Sequence, residues 1–194
     1  MVEYLSETVA FLQNKTSFQP EYGIILGTGL GALVEDIEVE HVFNYEDIPN
    51  FPVSTVESHK GKLIYGLLEN KKVVVMQGRF HYYEGYSMQE VTFPVRVLKM
   101  LGIKSLFISN AAGGLNPDFD RSDLMIINDH INLLPDNPLR GPNHDDMGLR
   151  FPDMSEPYDK SLISMALDYA KEQNIRAHQG VYAVVSGPNL ETPA

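Results

Sequence analysis

The segment at residues 76–86, with the sequence MQGRFHYYEGY, holds the side chains in this chain that are best suited to chemistry. Arg79 offers a planar fork of donors that suits a phosphate group. His81 and the tyrosines can hydrogen-bond to the hydroxyl groups of a sugar while their rings pack against it. The segment follows an apolar run at 72–75 that is typical of a buried strand, so the pattern predicts a ligand site at a strand end. An Arg–Glu ion pair with two packing aromatic rings is the alternative interpretation.

Two glycine-rich segments also follow predicted strands. The first is GTGLGA at 27–32, and the second is NAAGGLN at 110–116. Glycines let backbone N–H groups approach an anion closely, and Thr28 adds a hydroxyl donor. The small residues of the second segment leave room for a flat group. Both segments are also compatible with simple tight turns.

The first glycine-rich segment allows a second interpretation. It matches the relaxed fingerprint of dinucleotide-binding proteins, with Glu46 and Asp47 roughly 20 residues further on. The expected strand–helix–strand spacing is poor, because residues 35–40 offer little helix before the next predicted strand. A dinucleotide-dependent oxidoreductase therefore stays open as an alternative, and it predicts NAD binding.

Other catalytic motifs are absent from the sequence. The histidines show no metal-ligand spacing, so we expect no metal and no metal cofactor. There is no Gly-x-Ser-x-Gly elbow and no GKS or GKT phosphate loop, which argues against serine hydrolases and P-loop NTPases. Glu191 follows the last predicted strand, where a carboxylate can accept N–H bonds from a heterocycle or cap a helix.

Composition limits the class of protein. The 194 residues are enough for one domain over 1–194, and a net charge of −11 argues against nucleic acid and anionic membranes as partners. There is no cysteine, which excludes disulfides and a cysteine nucleophile. The N-terminus lacks the pattern of a signal peptide, and no apolar run is long enough to span a bilayer. We expect a cytoplasmic protein.

The elements that must position these segments follow from apolar periodicity. Ser87 and Glu90 have the spacing of a capping box at the start of a helix. Strands alternating with helices predict an α/β fold, with a central mixed, mostly parallel twisted sheet flanked by helices and antiparallel pairing within 62–77. The strands at 104–109 and 124–131 are expected to be buried. Predicted helices are 2–14, 88–101 and 161–173, and predicted strands are 21–26, 38–44, 62–69, 72–77, 104–109, 124–131 and 181–186.

Two segments have no regular period. Residues 132–158 contain five prolines, and a loop of this length predicts a functional site or a subunit contact. The sequence ends in Thr-Pro-Ala, where Thr and Pro are the residues expected at the start of a helix. We therefore expect the fold to be incomplete at the C-terminus, because a helix would begin where these residues end.

Six segments, in order, resemble one family. They are GTGLG (27–31), MQGRFHYYEGY (76–86), NAAGGLNP (110–117), DHIN (129–132), NPLRGPN (137–143), and GP with ET (187–188 and 191–192). Together they closely resemble the trimeric purine nucleoside phosphorylases that act on inosine and guanosine. The resemblance implies a nucleoside phosphorylase-like fold. It also implies phosphorolysis of purine ribonucleosides to free base and α-ribose 1-phosphate, in purine salvage, with inorganic phosphate as co-substrate and no cofactor.

The resemblance also implies site residues, with His81 and Glu191 as the catalytic pair. Phe151 is expected to reach the neighbouring site of a homotrimer. Thr28 stands where many members have Ser, and Leu190 where many have Phe. The implied phosphate-binding residues are Thr28, His59, Arg79, His81 and Ala111, and the implied nucleoside-binding residues are Tyr83, Ala112, Gly113, Phe151, Leu190 and Glu191.

Two alternatives remain within this resemblance. One is the methylthioadenosine phosphorylase class, which shares the fold and the reaction but takes a 6-amino purine. The other is a non-catalytic module that binds nucleoside or phosphate without forming product. The resembled family continues beyond residue 194 with segments that complete the phosphate and ribose sites. We therefore expect these residues alone to show strongly reduced or no turnover and to expose part of their sheet.

Overall fold

The computed structural model describes residues 2–53, 61–189 and 192. The chain divides into two compact units, Met1–Ala111 and Ala112–Ala194. The single domain expected over 1–194 stays a prediction. Among the described residues, no helix has the length and apolar character needed to cross a bilayer.

The first unit contains a five-stranded sheet in the order β2-β3-β4-β1-β5. Strands β4, β1 and β5 are parallel, whereas β2, β3 and β4 pair antiparallel. This arrangement confirms the predicted mixed α/β fold and the antiparallel pairing within 62–77. The elements are α1 (Val2–Lys15), β1 (Tyr22–Ile25), β2 (Glu38–Asn44), β3 (Lys62–Leu68), β4 (Lys71–Gln77), α2 (Met88–Met100) and β5 (Ser105–Ile108), with short 3-10 helices at Gly31–Asp36, Tyr45–Asp47 and Tyr82–Glu84.

Both faces of this sheet are covered near β1. On one face, Val73 and Val75 of β4 join a buried apolar cluster against which Leu33 and Val34 of the first 3-10 helix pack. On the other face, Gly23 lies so close to α2 that an added Cβ would stand 3.5 Å from Leu98 Cδ1. Continuous β-branched strands such as β4 are typical of strands that are buried on both faces.

Helix α2 begins as the sequence predicts. The Ser87 hydroxyl accepts a hydrogen bond from the Glu90 N–H at 3.3 Å, and the Glu90 carboxylate accepts one from the Ser87 N–H at 2.8 Å. These reciprocal bonds satisfy N–H groups that a helix start leaves without partners. The contacts with Ser87 also lower the pKa of Glu90. The capping box therefore fixes where the segment 76–86 ends and the helix begins.

Strand β5 is more exposed than the sequence predicts. Phe107 is 43% exposed and Ile108 is 58% exposed, so the expectation of a buried strand at 104–109 is wrong for its second half. The reason is its place in the sheet, because β5 is an edge strand and, within the part of the chain that the structure describes, pairs only with β1.

The second unit contains a parallel pair of strands and one helix. Strand β6 (Leu124–Asn132) pairs with β7 (Ala177–Val184), and α3 (Lys160–Glu172) precedes β7. Leu124 and Ile131 are about half exposed, so the expected burial of 124–131 is also wrong. Between Asn132 and Tyr158, the only regular element among these described residues is a 3-10 helix at Asp145–Met147.

Strand β7 begins four residues before the predicted strand at 181–186. Its first residues, Ala177 to Gly180, are polar or small and give no apolar signal, yet they pair with β6. Gly180 packs closely against β6, because an added Cβ would lie 2.7 Å from Met125 Sδ and the flexible Met125 side chain would have to move to admit it. Backbone pairing thus overrides a sequence pattern that predicts loop.

Asp123 ties the starts of these two strands together. Its carboxylate accepts the Asp120 N–H at 2.8 Å, lies 2.9 Å from His178 Nε2 and lies 3.2 Å from Arg176 Nε. The His178 ring stacks on Phe119 at 4.4 Å between centroids. The Asp120 N–H, followed by the His178 contact, lowers the pKa of Asp123.

We predict that Tyr65→Phe stabilises the protein. Tyr65 is 1% exposed, and its hydroxyl has no hydrogen-bond partner among the described residues. Removing an unpartnered buried hydroxyl should raise the free energy of unfolding by about 1 kcal/mol. The matched control is Tyr45→Phe, because the Tyr45 hydroxyl donates to the Gly78 carbonyl at 2.8 Å. This control should lower the free energy of unfolding by about 1 kcal/mol. Equal effects of the two variants in urea denaturation would contradict the prediction.

We also predict an acid-dependent contribution to stability from Asp123. Its pKa is lowered from the ordinary value of 3.8, so the folded state favours the carboxylate. The contribution is therefore full above 3.8 and is lost as the pH falls through the folded-state pKa. Asp123→Asn should flatten this part of the curve of unfolding free energy against pH. Asp146→Asn, on the exposed 3-10 helix of the same unit, is the control and should leave the curve as steep as in the parent.

Candidate functional site

The candidate site begins with the register of three parallel strands. Ile25 of β1 pairs with Met76 of β4 on one side and with Ile108 of β5 on the other. The three strands therefore end level with one another, and the segments that follow them start at the same edge of the sheet. All three segments were predicted from the sequence to carry ligand-binding groups, and open α/β sheets bind ligands at this edge.

The turn after β1 is packed tightly against its neighbours. A Cβ added to Gly27 would lie 2.5 Å from the Ser109 carbonyl oxygen and 2.8 Å from Arg79 Nη2. The Leu30 N–H donates to the Gly27 carbonyl at 3.2 Å, and Gly29 has a φ of +89°. The turn leaves Thr28 exposed at the edge of the sheet, where its hydroxyl is accessible.

Arg79 lies directly after a glycine turn. Gly78 has a φ of +103°, a conformation that other residues rarely adopt. From there, Arg79 Nη1 donates to the Ser109 carbonyl oxygen at 2.9 Å. The guanidinium of the β4 segment is thus held against the end of β5, and it also lies beside the turn after β1.

Ser109 connects all three segments, and no local sequence pattern indicates this role. Its hydroxyl accepts the Gly27 N–H at 3.1 Å and donates to the Ile25 carbonyl at 3.3 Å. Its own N–H donates to the same Ile25 carbonyl at 3.1 Å. A serine at a strand end matches no motif, so only the register of β1 and β5 shows its position.

His81 is held by a buried carboxylate. Glu84 Oε1 lies 2.7 Å from His81 Nδ1 and accepts the His81 N–H at 2.9 Å. The Glu84 side chain is 4% exposed, whereas that of His81 is 38% exposed. The imidazole also stacks on the Tyr83 ring, with 4.8 Å between centroids. One face of the histidine is therefore covered, and its orientation is fixed from the Nδ1 side.

Buried aromatic rings anchor the segment 76–86 in the core. Phe80 is buried and packs against Tyr45 and Phe51, with centroids 5.3 and 6.2 Å away. The Tyr45 hydroxyl donates to the Gly78 carbonyl at 2.8 Å. The alternative of a purely packing role for the aromatics fits Phe80. Tyr83 stacks on His81 but is 54% exposed, so much of its surface is also open to a ligand.

Tyr86 closes this segment. Burial, followed by the nearby carboxylates of Glu84 and Glu90, raises its pKa, so its hydroxyl remains a donor. It donates to the Val53 carbonyl. Val53 is the last described residue before position 61, and Gly61 lies close enough to Gly78 that a Cβ on Gly78 would stand 3.4 Å from its Cα.

The remaining predicted site residues fall in three groups. His59, Leu190 and Glu191 lie outside the described residues. Ala111 is exposed and ends the first unit, and Ala112 and Gly113 are exposed at the start of the second unit. Phe151 forms the third group.

Phe151 lies in the second unit and is 86% exposed. The preceding residue fixes the local chain, because Arg150 Nη1 donates to the carbonyls of Leu139 and Gly141 at 2.8 and 2.7 Å. The guanidinium also lies 6.0 Å from the centroid of the Phe151 ring. An exposed ring on an anchored segment is suited to contact another molecule.

The connectivity argues against the dinucleotide-binding alternative. The turn after β1 leads into the 3-10 helix Gly31–Asp36 and then into β2, which pairs antiparallel with β3. A dinucleotide-binding unit instead requires an α-helix followed by a parallel neighbouring strand. Among the described residues there is also no group of three or more acidic or histidine side chains placed to hold a metal ion.

The donors at this edge suit an anion. Arg79 supplies a guanidinium, Thr28 a hydroxyl, and the turn around Gly27 exposes backbone close to both. The chain as a whole carries a net charge of −11, so an anion is attracted by these local groups and not by the general field. The half-exposed imidazole of His81 and the phenol of Tyr83 add groups that can meet a polyol.

Comparison with known proteins gives consistent matches over nearly the whole chain. Residues 21–194 match a family model described as the phosphorylase superfamily. Purine nucleoside phosphorylase 1 of Bacillus subtilis is 55% identical over 194 residues, which cover 100% of this chain and 72% of that protein.

Solved structures match as well. A Schistosoma mansoni purine nucleoside phosphorylase in complex with inosine has a TM-score of 0.93 at 45% identity, covering 99% of this chain and 69% of that one. Isoform 2 from Schistosoma mansoni, in complex with cytosine and ribose 1-phosphate, has a TM-score of 0.92 at 45% identity, covering 98% and 69%.

We predict that Gly27→Ala distorts the edge of the sheet. The new Cβ would overlap the Ser109 carbonyl and the Asn110 Cα, at 2.5 and 2.7 Å, and backbone must move to admit it. Such overpacking should lower the free energy of unfolding by about 1–3 kcal/mol.

The matched control is Gly31→Ala, because a Cβ at this position meets nothing within 4 Å. This control should leave the free energy of unfolding within about 0.5 kcal/mol of the parent. Equal stability of the two variants in urea denaturation would contradict the close approach seen at Gly27.

Proposed function

This chain belongs to the phosphorylase superfamily, among its purine nucleoside phosphorylases, and we propose that it cleaves inosine and guanosine by phosphorolysis. Inorganic phosphate is the co-substrate, and the products are the free purine and α-ribose 1-phosphate. The reaction serves purine salvage. The observation that carries the proposal is the convergence of Gly27, Arg79 and Ser109 at the ends of three parallel strands, because it places the Arg79 guanidinium beside the turn that carries the exposed Thr28.

We assign the phosphate site to this edge. Arg79 binds the phosphate through its guanidinium, Thr28 donates its hydroxyl, and the Ala111 backbone amide adds a donor at the end of the β5 segment. His59 is assigned to the same site by the family resemblance. Supporting this assignment, Arg79 is held at a fixed position by the Ser109 carbonyl.

The chemistry of phosphorolysis explains how phosphate bound at such a site would accelerate the reaction. Phosphate attacks the anomeric carbon, so a C–O bond forms there while the bond to the purine nitrogen breaks. The ribosyl group becomes cation-like in the transition state, and a phosphate dianion held beside it stabilises that charge before capturing it. Holding phosphate and nucleoside together contributes further acceleration, because the two reactants no longer have to meet from solution.

His81 and Glu191 are the proposed catalytic residues. His81 adjoins the phosphate site, and the buried Glu84 carboxylate keeps its imidazole oriented. Because Glu84 engages Nδ1, the opposite ring nitrogen is the one directed away from this pair. Glu191 is proposed to accept N–H bonds from the purine, which favours departure of the base.

The nucleoside contacts are proposed by resemblance, residue by residue. Tyr83 contacts the ribose, and its exposed ring is consistent with this role. Ala112 and Gly113 form the floor under the nucleoside, and Leu190 flanks the base. Phe151 is proposed to reach the site of a neighbouring copy in a homotrimer. Its 86% exposure supports a contact with another molecule. A cytoplasmic location remains part of the proposal.

The deciding experiment is phosphate-dependent release of hypoxanthine from inosine. We predict release in the presence of phosphate and none when phosphate is omitted, because water does not replace the anion at the proposed site. Adenosine and methylthioadenosine are assayed in parallel. Faster release of a 6-amino purine would favour the methylthioadenosine phosphorylase class. Saturable phosphate binding without any product would favour the non-catalytic module.

An arginine substitution tests the assigned phosphate site. Arg79→Gln should raise the KM for phosphate at least about tenfold, since a charge-assisted contact contributes about 1.5–3 kcal/mol. Arg121→Gln is the matched control, because Arg121 is exposed and is not among the residues assigned to the phosphate site. An unchanged phosphate KM in Arg79→Gln would contradict the assignment.

A further inference from the structure

We propose that Ser109 is a positioning residue of the phosphate site. The Ser109 hydroxyl fixes the position of the turn that carries Thr28, and the Ser109 carbonyl fixes the position of the Arg79 guanidinium. The inference rests on the proposed function, because it assumes that Thr28 and Arg79 bind phosphate. Ser109 itself need not touch phosphate in this proposal. It acts on two segments that do.

The Ser109 hydroxyl is committed in both directions. It donates its single hydrogen to the Ile25 carbonyl at 3.3 Å and accepts the Gly27 N–H at 3.1 Å. A serine hydroxyl has one hydrogen, so donation to Ile25 leaves its lone pairs for Gly27. The bond to Gly27 is therefore the contact that holds the turn immediately before Thr28 against β5.

The Ser109 carbonyl sets the second donor. It accepts Arg79 Nη1 at 2.9 Å, and a Cβ on Gly27 would lie 2.5 Å from it. The guanidinium is planar, so a contact at one terminal nitrogen restricts the orientation of the whole fork. One residue at the end of β5 thus fixes the spacing between the Thr28 turn and Arg79.

Spacing at this level matters for binding an anion in a reactive position. Functional groups must be held within about 0.5 Å of the productive geometry to keep their effect. A mutation far from the reacting atoms that displaces a functional group by about 1 Å can reduce the rate about a hundredfold. The loss of the hydroxyl of Ser109 would leave Thr28 and Arg79 present but free to separate.

The test removes the hydroxyl and restores it. Ser109→Ala removes both hydrogen bonds of the hydroxyl, including the one that holds the turn at Gly27. It should raise the phosphate concentration needed for half-maximal thermal stabilisation about tenfold. Ser109→Thr keeps the hydroxyl and should stay near the parent. Where activity is measured, the KM for phosphate should rise while the KM for inosine stays constant. Should Ser109→Ala fail to fold, Ser109→Cys keeps the side-chain size with a weak acceptor, and the same rise is expected.

A double-mutant cycle separates positioning from general stability. If Ser109 acts through the turn, Ser109→Ala combined with Thr28→Val should weaken phosphate binding no more than Thr28→Val alone. If the double variant instead weakens phosphate binding by the product of the two single-variant factors, the inference is overturned. A Ser109→Ala variant with a lower Tm and an unchanged phosphate response would also overturn it. A parent protein without any phosphate response would overturn the proposed function and this inference together.

Discussion

The close approach of β1 and β5 at Gly27 and Ser109 is the constraint on which the candidate site depends. It requires a glycine at 27, since any Cβ would overlap the Ser109 carbonyl at 2.5 Å. It also requires the register that makes β4, β1 and β5 end level, because Arg79, which follows β4, reaches the same carbonyl. The tight packing of the sheet edge and the placement of Arg79 beside the Thr28 turn therefore have the same structural cause.

Two kinds of support hold the segment 76–86 in place, and they serve different ends. Aromatic packing of Phe80 with Tyr45 anchors the segment in the core, and the Tyr45 hydroxyl has a partner there because it donates to the Gly78 carbonyl. Polar contacts from Glu84 then orient His81 at the surface. Glu84 is nearly fully buried, so its hydrogen bonds to the His81 imidazole and N–H offset the cost of removing a carboxylate from water.

Particular residues show how much of the fold and of the candidate site can be predicted from the sequence. The capping box at Ser87 and the strand before Arg79 were predictable because both rest on local patterns. Ser109 was not, because its role comes from the pairing of strands more than 80 residues apart. The start of β7 was missed since polar residues pair there through the backbone, and the exposure of Phe107 was missed because apolar composition does not distinguish an edge strand from a central one.

The position of Tyr45 has an evolutionary consequence. A Cβ on Gly61 would stand 2.1 Å from atoms of the Tyr45 ring, so no side chain fits at 61 while the ring is present. The same ring carries the hydroxyl that holds the Gly78 carbonyl. Positions 45 and 61 should therefore covary among homologues: wherever 61 bears a side chain, 45 should have lost its ring, and the Gly78 turn should then be held by a different donor.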